Sequence, residues 1–268
     1  MTLHNRSHNQ ETDVNQTSHL ITAEGSEKEV VSTIIKEHRL DIYVQEQLVF
    51  QIVCTPTDLA ELVVGRLVSE GIVKAAEEIA LLDICEHGNR AKVYLKDDIK
   101  FVKSLQREPT CCTDNKQFLQ RENVEKETAL LPALWKKEWI FALTKVFAEG
   151  SMLHKKTKGT HCCYLAIEDK VLYAAEDIGR HNALDKAIGY AVLQNLPREK
   201  CILFTTGRVP TDMITKVITA RIPTLVSKAV PTDEAVHMAK TYQMNLICKA
   251  WPDSFEVFNS SDFSVKHF

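Results

Sequence analysis

Apolar and polar positions alternate through residues 40–53 with the period of two that suits half-buried strands. Leu40–Val44 and Leu48–Val53 flank a polar turn and read as a hairpin. Thr55-Pro56-Thr57-Asp58 then opens a helix, with Asp58 and Glu61 at capping-box spacing and Gly71 as a natural stop. Ala80–Ile84 and Ala91–Leu95 predict another strand pair around His87-Gly88-Asn89, so this region reads as α+β. The second half alternates: helix Trp135–Glu149, strands Cys162–Ile167 and Val171–Ala174, helix Asn182–Gln194, strand Cys201–Thr205 and helix Thr211–Arg221. Strand Pro223–Ser227, helix Asp233–Tyr242 capped by Thr232, and strands Asn245–Lys249 and Phe255–Phe258 complete it. That βαβα order predicts a mainly parallel sheet covered by helices. Residues 1–27 are polar and without period, the pattern of a disordered tail. Residues 106–128 are a polar stretch holding a Cys pair and read as a mobile loop or linker. The expected division is therefore a tail over 1–27, an α+β domain over 28–105, the Cys-containing linker over 106–128, and an α/β ligand-binding domain over 129–268.

One turn carries more chemistry than the rest. Glu176-Asp177-Ile178-Gly179-Arg180-His181-Asn182 follows an apolar strand and leads into a helix with Ala183, Leu184, Ala187, Ile188, Ala191 and Val192 on one face. Strand-to-helix turns expose backbone N–H groups at the carboxyl edge of a sheet, where α/β proteins bind ligands. Asp177, Gly179, Arg180 and His181 are candidates there, with a simple helix cap built from Asp177 and Asn182 as the alternative. A second turn, Thr206-Gly207-Arg208-Val209-Pro210, has the same setting, and Arg208 has the fork geometry for phosphate. Gly159 and His161, in Lys158-Gly159-Thr160-His161, lie just ahead of another strand. Together the three would form an anion-friendly cleft. No Walker motif and no Gly-x-Gly-x-x-Gly is present.

The chain has 268 residues, 44% hydrophobic and 26% charged, with a net charge of −3. That balance argues against bulk nucleic acid or an anionic membrane as the main partner. Apolar runs are too short for a membrane span and the N-terminus has no signal-peptide core, so a cytoplasmic protein is expected. Its eight cysteines then belong to a reducing compartment. No Cys-x-x-Cys occurs, and His161-Cys162-Cys163 lacks the His-x-Glu of zinc deaminases, so no metal site is expected. Within a strand Cys162 and Cys163 would face opposite ways. Cys111 and Cys112 stand between Arg107 and Lys116 among polar residues, a setting that favours the reactive thiolate.

On these motifs the chain resembles the formate dehydrogenase accessory sulfurtransferase family, FdhD. Glu176 to Lys186 is similar to the family signature almost letter for letter. Thr206 to Lys216 resembles a second block, and Pro56-x-Asp58-Leu59, Gly65 and Glu70-Gly71-Ile72 resemble the N-terminal block. Lys158-Gly159-Thr160-His161 resembles a Gly-Thr-His block in which small residues usually replace the cysteines. The resemblance implies an α/β fold with a cytidine-deaminase-like three-layer C-terminal domain, a smaller α+β N-terminal domain and no zinc. It implies a homodimer that takes sulfur from a cysteine desulfurase as a cysteine persulfide. The sulfur then passes to the molybdenum bis(molybdopterin guanine dinucleotide) cofactor, for formate dehydrogenase. GDP would stand in for that cofactor, and a non-catalytic cofactor chaperone is the alternative. The family's Cys-x-x-Cys is here Cys111-Cys112-Thr113-Asp114, which leaves Cys111 or Cys112 as carrier. Its C-terminal aromatic and Arg are here replaced by Lys249-Ala250-Trp251-Pro252-Asp253-Ser254, where Trp251 would stack on a ring, Lys249 would supply charge, and Ser254 completes the segment.

Overall fold

The computed structural model describes residues 1–7, 10–107, 115–122 and 128–261. In chain order its strands and helices begin β1 (Thr2–Asn5), β2 (Asp13–Ile21), β3 (Glu27–Ile35), β4 (His38–Val44), β5 (Gln47–Cys54) and α1 (Leu59–Ser69). They continue with β6 (Ile79–Ile84), β7 (Arg90–Leu95), β8 (Phe101–Arg107), β9 (Lys116–Arg121), α2 (Lys137–Glu149), α3 (Met152–Thr157), β10 (His161–Ile167) and β11 (Lys170–Asp177). The last are α4 (Arg180–Leu193), β12 (Cys201–Thr205), α5 (Thr211–Thr219), β13 (Thr224–Ser227), α6 (Asp233–Thr241), β14 (Asn245–Cys248) and β15 (Glu256–Asn259).

Strands of the first half form one sheet in the order β1-β6-β7-β4-β5-β9-β8, and those of the second half another, β11-β10-β12-β13-β14-β15. The second sheet is mixed rather than mainly parallel. Only β12, β13 and β14 run parallel, because only there do helices α5 and α6 supply the crossovers. A tight turn joins β10 to β11, which forces an antiparallel pair, and β10 then intervenes antiparallel between β11 and β12. Alternation along these strands divides the interior. Cys163, Leu165, Leu203 and Leu225 join the core shared with α4 and α5, whereas Cys162, Tyr164, Phe204 and Val226 pack under α2 on the opposite face. Cys162 and Cys163 thus do face opposite ways.

The shared core also takes in Leu40, Ile42, Phe50 and Leu82 of the first sheet and the apolar residues of α1 from Leu59 to Val68, so the two halves bury one continuous interior. Its centre is the crossing of α1 and α4. A Cβ at Gly65 would overlap the backbone carbonyl of Asp185, and one at Gly189 would overlap that of Glu61. Two glycines let the helix backbones touch.

Three further expectations are corrected. The tail over 1–27 carries β1, β2 and the first residue of β3. Its polar residues gave no period because β2 borrows its order from β3, where Val30, Val31, Ile34 and Ile35 lie, with Ser18–Ser32 and Thr33–Asn15 hydrogen bonds across the pair. The linker over 106–128 contains the last residues of β8 and the whole of β9, which pair with each other and attach to β5. Cys111 and Cys112 lie outside the described residues. Finally, Asp58 occupies the N-cap of α1 in a left-handed conformation, φ 51°, and its side chain caps nothing, so the capping box is not formed. Gly71 does stop that helix, with φ 68°, and Thr232 does cap α6 by accepting from Ala235 N–H at 3.3 Å.

Candidate functional site

The carboxyl ends of β11, β12, β13 and β14 lie along one edge of the second sheet. The amino end of β10 meets them there, since Thr206 N–H donates to the Cys162 carbonyl at 3.0 Å. This brings together Gly159 and His161, the 177–181 turn, Gly207 and Arg208, and the 249–254 segment. His161 Nδ1 lies 3.3 Å from Thr206 Oγ1. Burial, the Arg180 guanidinium and His154 hold its imidazole below the ordinary value of 6.5, against a weaker opposing pull from Asp177. Gly207 is buried against Arg180: a Cβ there would come within 2.9 Å of Arg180 Cδ. Helix α4 begins at Arg180, so Arg180 and His181 lie in its first turn, and His181 Nε2 is 3.5 Å from Asp212 Oδ2. Arg208 is exposed on the rim.

Asp177 turns inward instead. It is fully buried, accepts from Gly179 N–H and Asn182 Nδ2 at 2.9 Å, accepts from Thr55 N–H at 3.0 Å, and pairs with Lys186 Nζ at 2.8 Å. Lys186 also donates to the carbonyls of Thr55 and Glu176 and to Thr57 Oγ1. A charged pair with every lone pair and proton occupied is the form in which burial is tolerable. Asp177 and Lys186 therefore join the entry of α1 to the strand-to-helix turn. Asp177 does satisfy backbone donors there, whereas Asn182 satisfies none among the described residues and instead donates to the Val53 carbonyl at 2.8 Å. Glu176 serves a neighbouring helix. Its carboxylate accepts from Leu153 N–H at 3.1 Å and His154 N–H at 2.8 Å, at the N-terminus of α3.

At the far end of the edge, Trp251 is 47% exposed. Lys249 Nζ is held by Glu256 at 2.8 Å, so its charge is already answered. Ser254 is exposed and its N–H and carbonyl close a turn with Trp251. The cation beside Trp251 is Lys228, which sequence reasoning passed over. It stands immediately after β13, and a cation directly following an apolar strand was the available signal.

Behind the edge is a cavity of about 470 Å³. Its lining includes Arg107 and Asn115, the described residues on either side of the cysteine segment, and Pro210, Thr211 and Asp212 from the second glycine–arginine block. Asn115, 2% exposed, accepts from Val53 N–H at 3.0 Å and donates to Asn182 Oδ1 at 2.9 Å. Asn182 reaches Asp177 in turn, so a buried hydrogen-bonded chain runs from Asn115 to the strand-to-helix turn. Beside it Asp185 receives Arg66 Nε at 2.8 Å, Ser69 Oγ at 2.7 Å and Lys216 Nζ at 3.1 Å. Among the described residues no group of His, Cys, Asp and Glu is arranged to hold a metal ion, and no helix is long and apolar enough to cross a membrane.

The fold is similar to the crystal structure of a proposed formate dehydrogenase accessory protein from Desulfotalea psychrophila. The TM-score is 0.77 over 93% of this chain and 98% of that one, at 24% identity. Proteins named sulfur carrier protein FdhD are similar in sequence. That of Listeria monocytogenes serotype 4b is 30% identical over 88% of this chain and 92% of its own length, and that of Halalkalibacterium halodurans 33% over 77% and 79%. The Bacillus subtilis protein is 30% identical over 88% and 91%. The family model FdhD/NarQ matches residues 35–263. The chain belongs to the FdhD/NarQ family.

Proposed function

We propose that the protein is a sulfur carrier in formate dehydrogenase maturation, acting as a sulfurtransferase. Cys111 or Cys112, as thiolate, attacks the terminal sulfur of a cysteine desulfurase persulfide. The donor's S–S bond breaks, the desulfurase leaves as thiolate, and the carrier keeps the persulfide. The carrier's S–S bond then breaks, Cys111 or Cys112 leaves as thiolate, and the outer sulfur goes to the molybdenum bis(molybdopterin guanine dinucleotide) substrate, whose reduced metal supplies the two electrons that make it a sulfide ligand. That substrate is bound at the sheet edge by backbone around Gly159, Gly179 and Gly207, by His161, Arg180 and Arg208, and beside Trp251 and Ser254; His181, fully buried beside Asp212, is not a contact. The observation that carries this reading is the cavity lined by both flanks of the cysteine segment and by the block that follows Arg208. Pro210, Thr211 and Asp212 belong both to the cavity wall and to the block that carries Arg208 at the edge. The cytidine-deaminase-like arrangement of the second half, a homodimer and a cytoplasmic location belong to the same proposal.

The test is activation of a formate dehydrogenase by Cys111→Ser, Cys112→Ser and the double variant, with GDP binding measured alongside. Loss of activation in the double variant with GDP binding intact is expected. Full activation by the double variant would establish the second reading, a cofactor-binding chaperone without sulfur chemistry.

A further inference from the structure

A column of rings and one cation runs from the sheet to the candidate rim. Phe204, within β12, stacks on Phe147 of α2 with centroids 4.0 Å apart and planes 2° apart. Phe147 also meets Tyr164 edge-on at 4.6 Å. On the outer side of Phe147 lies Lys228 Nζ, 5.2 Å from its centroid, and the same ammonium is 5.0 Å from the centroid of Trp251. Phe204 and Phe147 are buried, Lys228 is half-buried and Trp251 is at the surface.

Lys228 is placed by backbone, since its N–H donates to the Thr205 carbonyl at 3.1 Å at the carboxyl end of β12. Its ammonium forms no ion pair with a carboxylate among the described residues, unlike Lys249, which Glu256 takes. Two aromatic faces are therefore what holds it, and an ammonium over a ring face is attracted by the ring quadrupole. The indole is about half exposed, and Lys228 is the cation over its ring. The Trp251 backbone is fixed by the 251–254 turn and by Ala250 N–H donating to the Ser227 carbonyl at 3.0 Å. Over the ring itself, Lys228 supplies a directional contact that favours one orientation of the side chain. The exposed part of the indole is thereby a preset surface for another planar ring, beside a positive charge that no acid neutralises.

We infer that Lys228 is a positioning residue that fixes Trp251 as a stacking shelf for the purine of an anionic nucleotide. The inference rests on the nucleotide reading of the edge and adds the residue that orients its aromatic wall. A shelf held in place loses less rotamer freedom on binding than a free one, so its effect is read in affinity.

The experiment is calorimetric titration of the full-length protein with GDP. It compares wild type with Lys228→Met, Lys228→Arg, Trp251→Ala and the Lys228→Met/Trp251→Ala double variant. Lys228→Met is expected to weaken GDP about 3- to 30-fold, the range of one cation–ring contact. Lys228→Arg should restore most of it, and Lys228→Met should change nothing further once Trp251 is gone. Binding by Lys228→Met equal to wild type would overturn the inference. So would an equal loss in the Trp251→Ala background, which would make Lys228 a direct phosphate contact. Absence of GDP binding to wild type would overturn the nucleotide reading itself, and the inference with it.

Discussion

Gly65 and Gly189 face each other across the contact of α1 and α4, each standing where a methyl group would enter the other helix's backbone. Main-chain carbonyls cannot swing aside as a long side chain can, so alanine at either position must separate the helices. Gly65→Ala and Gly189→Ala should each cost about 1–3 kcal/mol or more by overpacking, despite alanine's better helix propensity. Urea midpoints at unchanged m-value check this, and a stabilised variant would contradict the contact.

The Asp177–Lys186 pair has a different weakness. Replacing Lys186 by Met keeps the volume but strands a buried carboxylate and removes donors from Thr55 and Glu176. The expected loss is about 3–5 kcal/mol, the usual cost of breaking a buried pair from one side. Thermal unfolding of Lys186→Met would read it directly.

His161 should make stability pH-dependent in one direction. Burial and Arg180 hold its folded-state value below 6.5, so the unfolded chain binds the proton first as pH falls. Stability is then full above 6.5 and declines as pH drops below it, levelling off under the folded-state value. His161→Gln should flatten the wild-type decline between about pH 7.5 and pH 5.5 and leave the higher-pH region parallel. Paired urea titrations at the two ends of that window test it. Equal slopes would show that His161 is not the group responsible.

Burial also sorts the thiols. It pushes Cys162 up to about 11 and Cys201 and Cys248 up to about 12, and raises Cys54 and Cys163 further. Iodoacetamide on the native protein at neutral pH should leave these five unmodified, because the thiolate is the reactive form and none is accessible. Peptide mapping after labelling checks the pattern. Native alkylation of Cys163 would show that the interior opens more readily than its packing implies.

How far the sequence could be read depended on where each element's partner lies. β10, α4, α5 and α6 show their own periods because each buries a face within the second half, and their boundaries were legible to within about two residues. β2 was not legible because its order comes from pairing with β3, and β9 was not because its apolar signal is only Phe118 and Leu119 among polar neighbours. The antiparallel β10–β11 pair was hidden by the α/β pattern around it. In the site, the glycine–arginine turns and His161 were found and do share an edge. Asp177 in sequence fits either a ligand contact or a helix cap, because charge at a strand end serves both, and Lys186, too far along the helix to suggest a partner, turns it inward. Lys228 carried no motif, only the position after a strand.

The α1–α4 crossing also sets a timetable for synthesis. Helix α1 leaves the ribosome with an apolar surface that only α4 can cover, and α4 is not translated until more than a hundred residues later. At ordinary elongation rates that interval is on the order of ten seconds. During it the nascent first half must keep an uncovered greasy helix from other chains. Growth conditions that slow elongation between residues 70 and 180, or deplete ribosome-associated holdases, should therefore lower the yield of this protein before they affect the stability of what has folded.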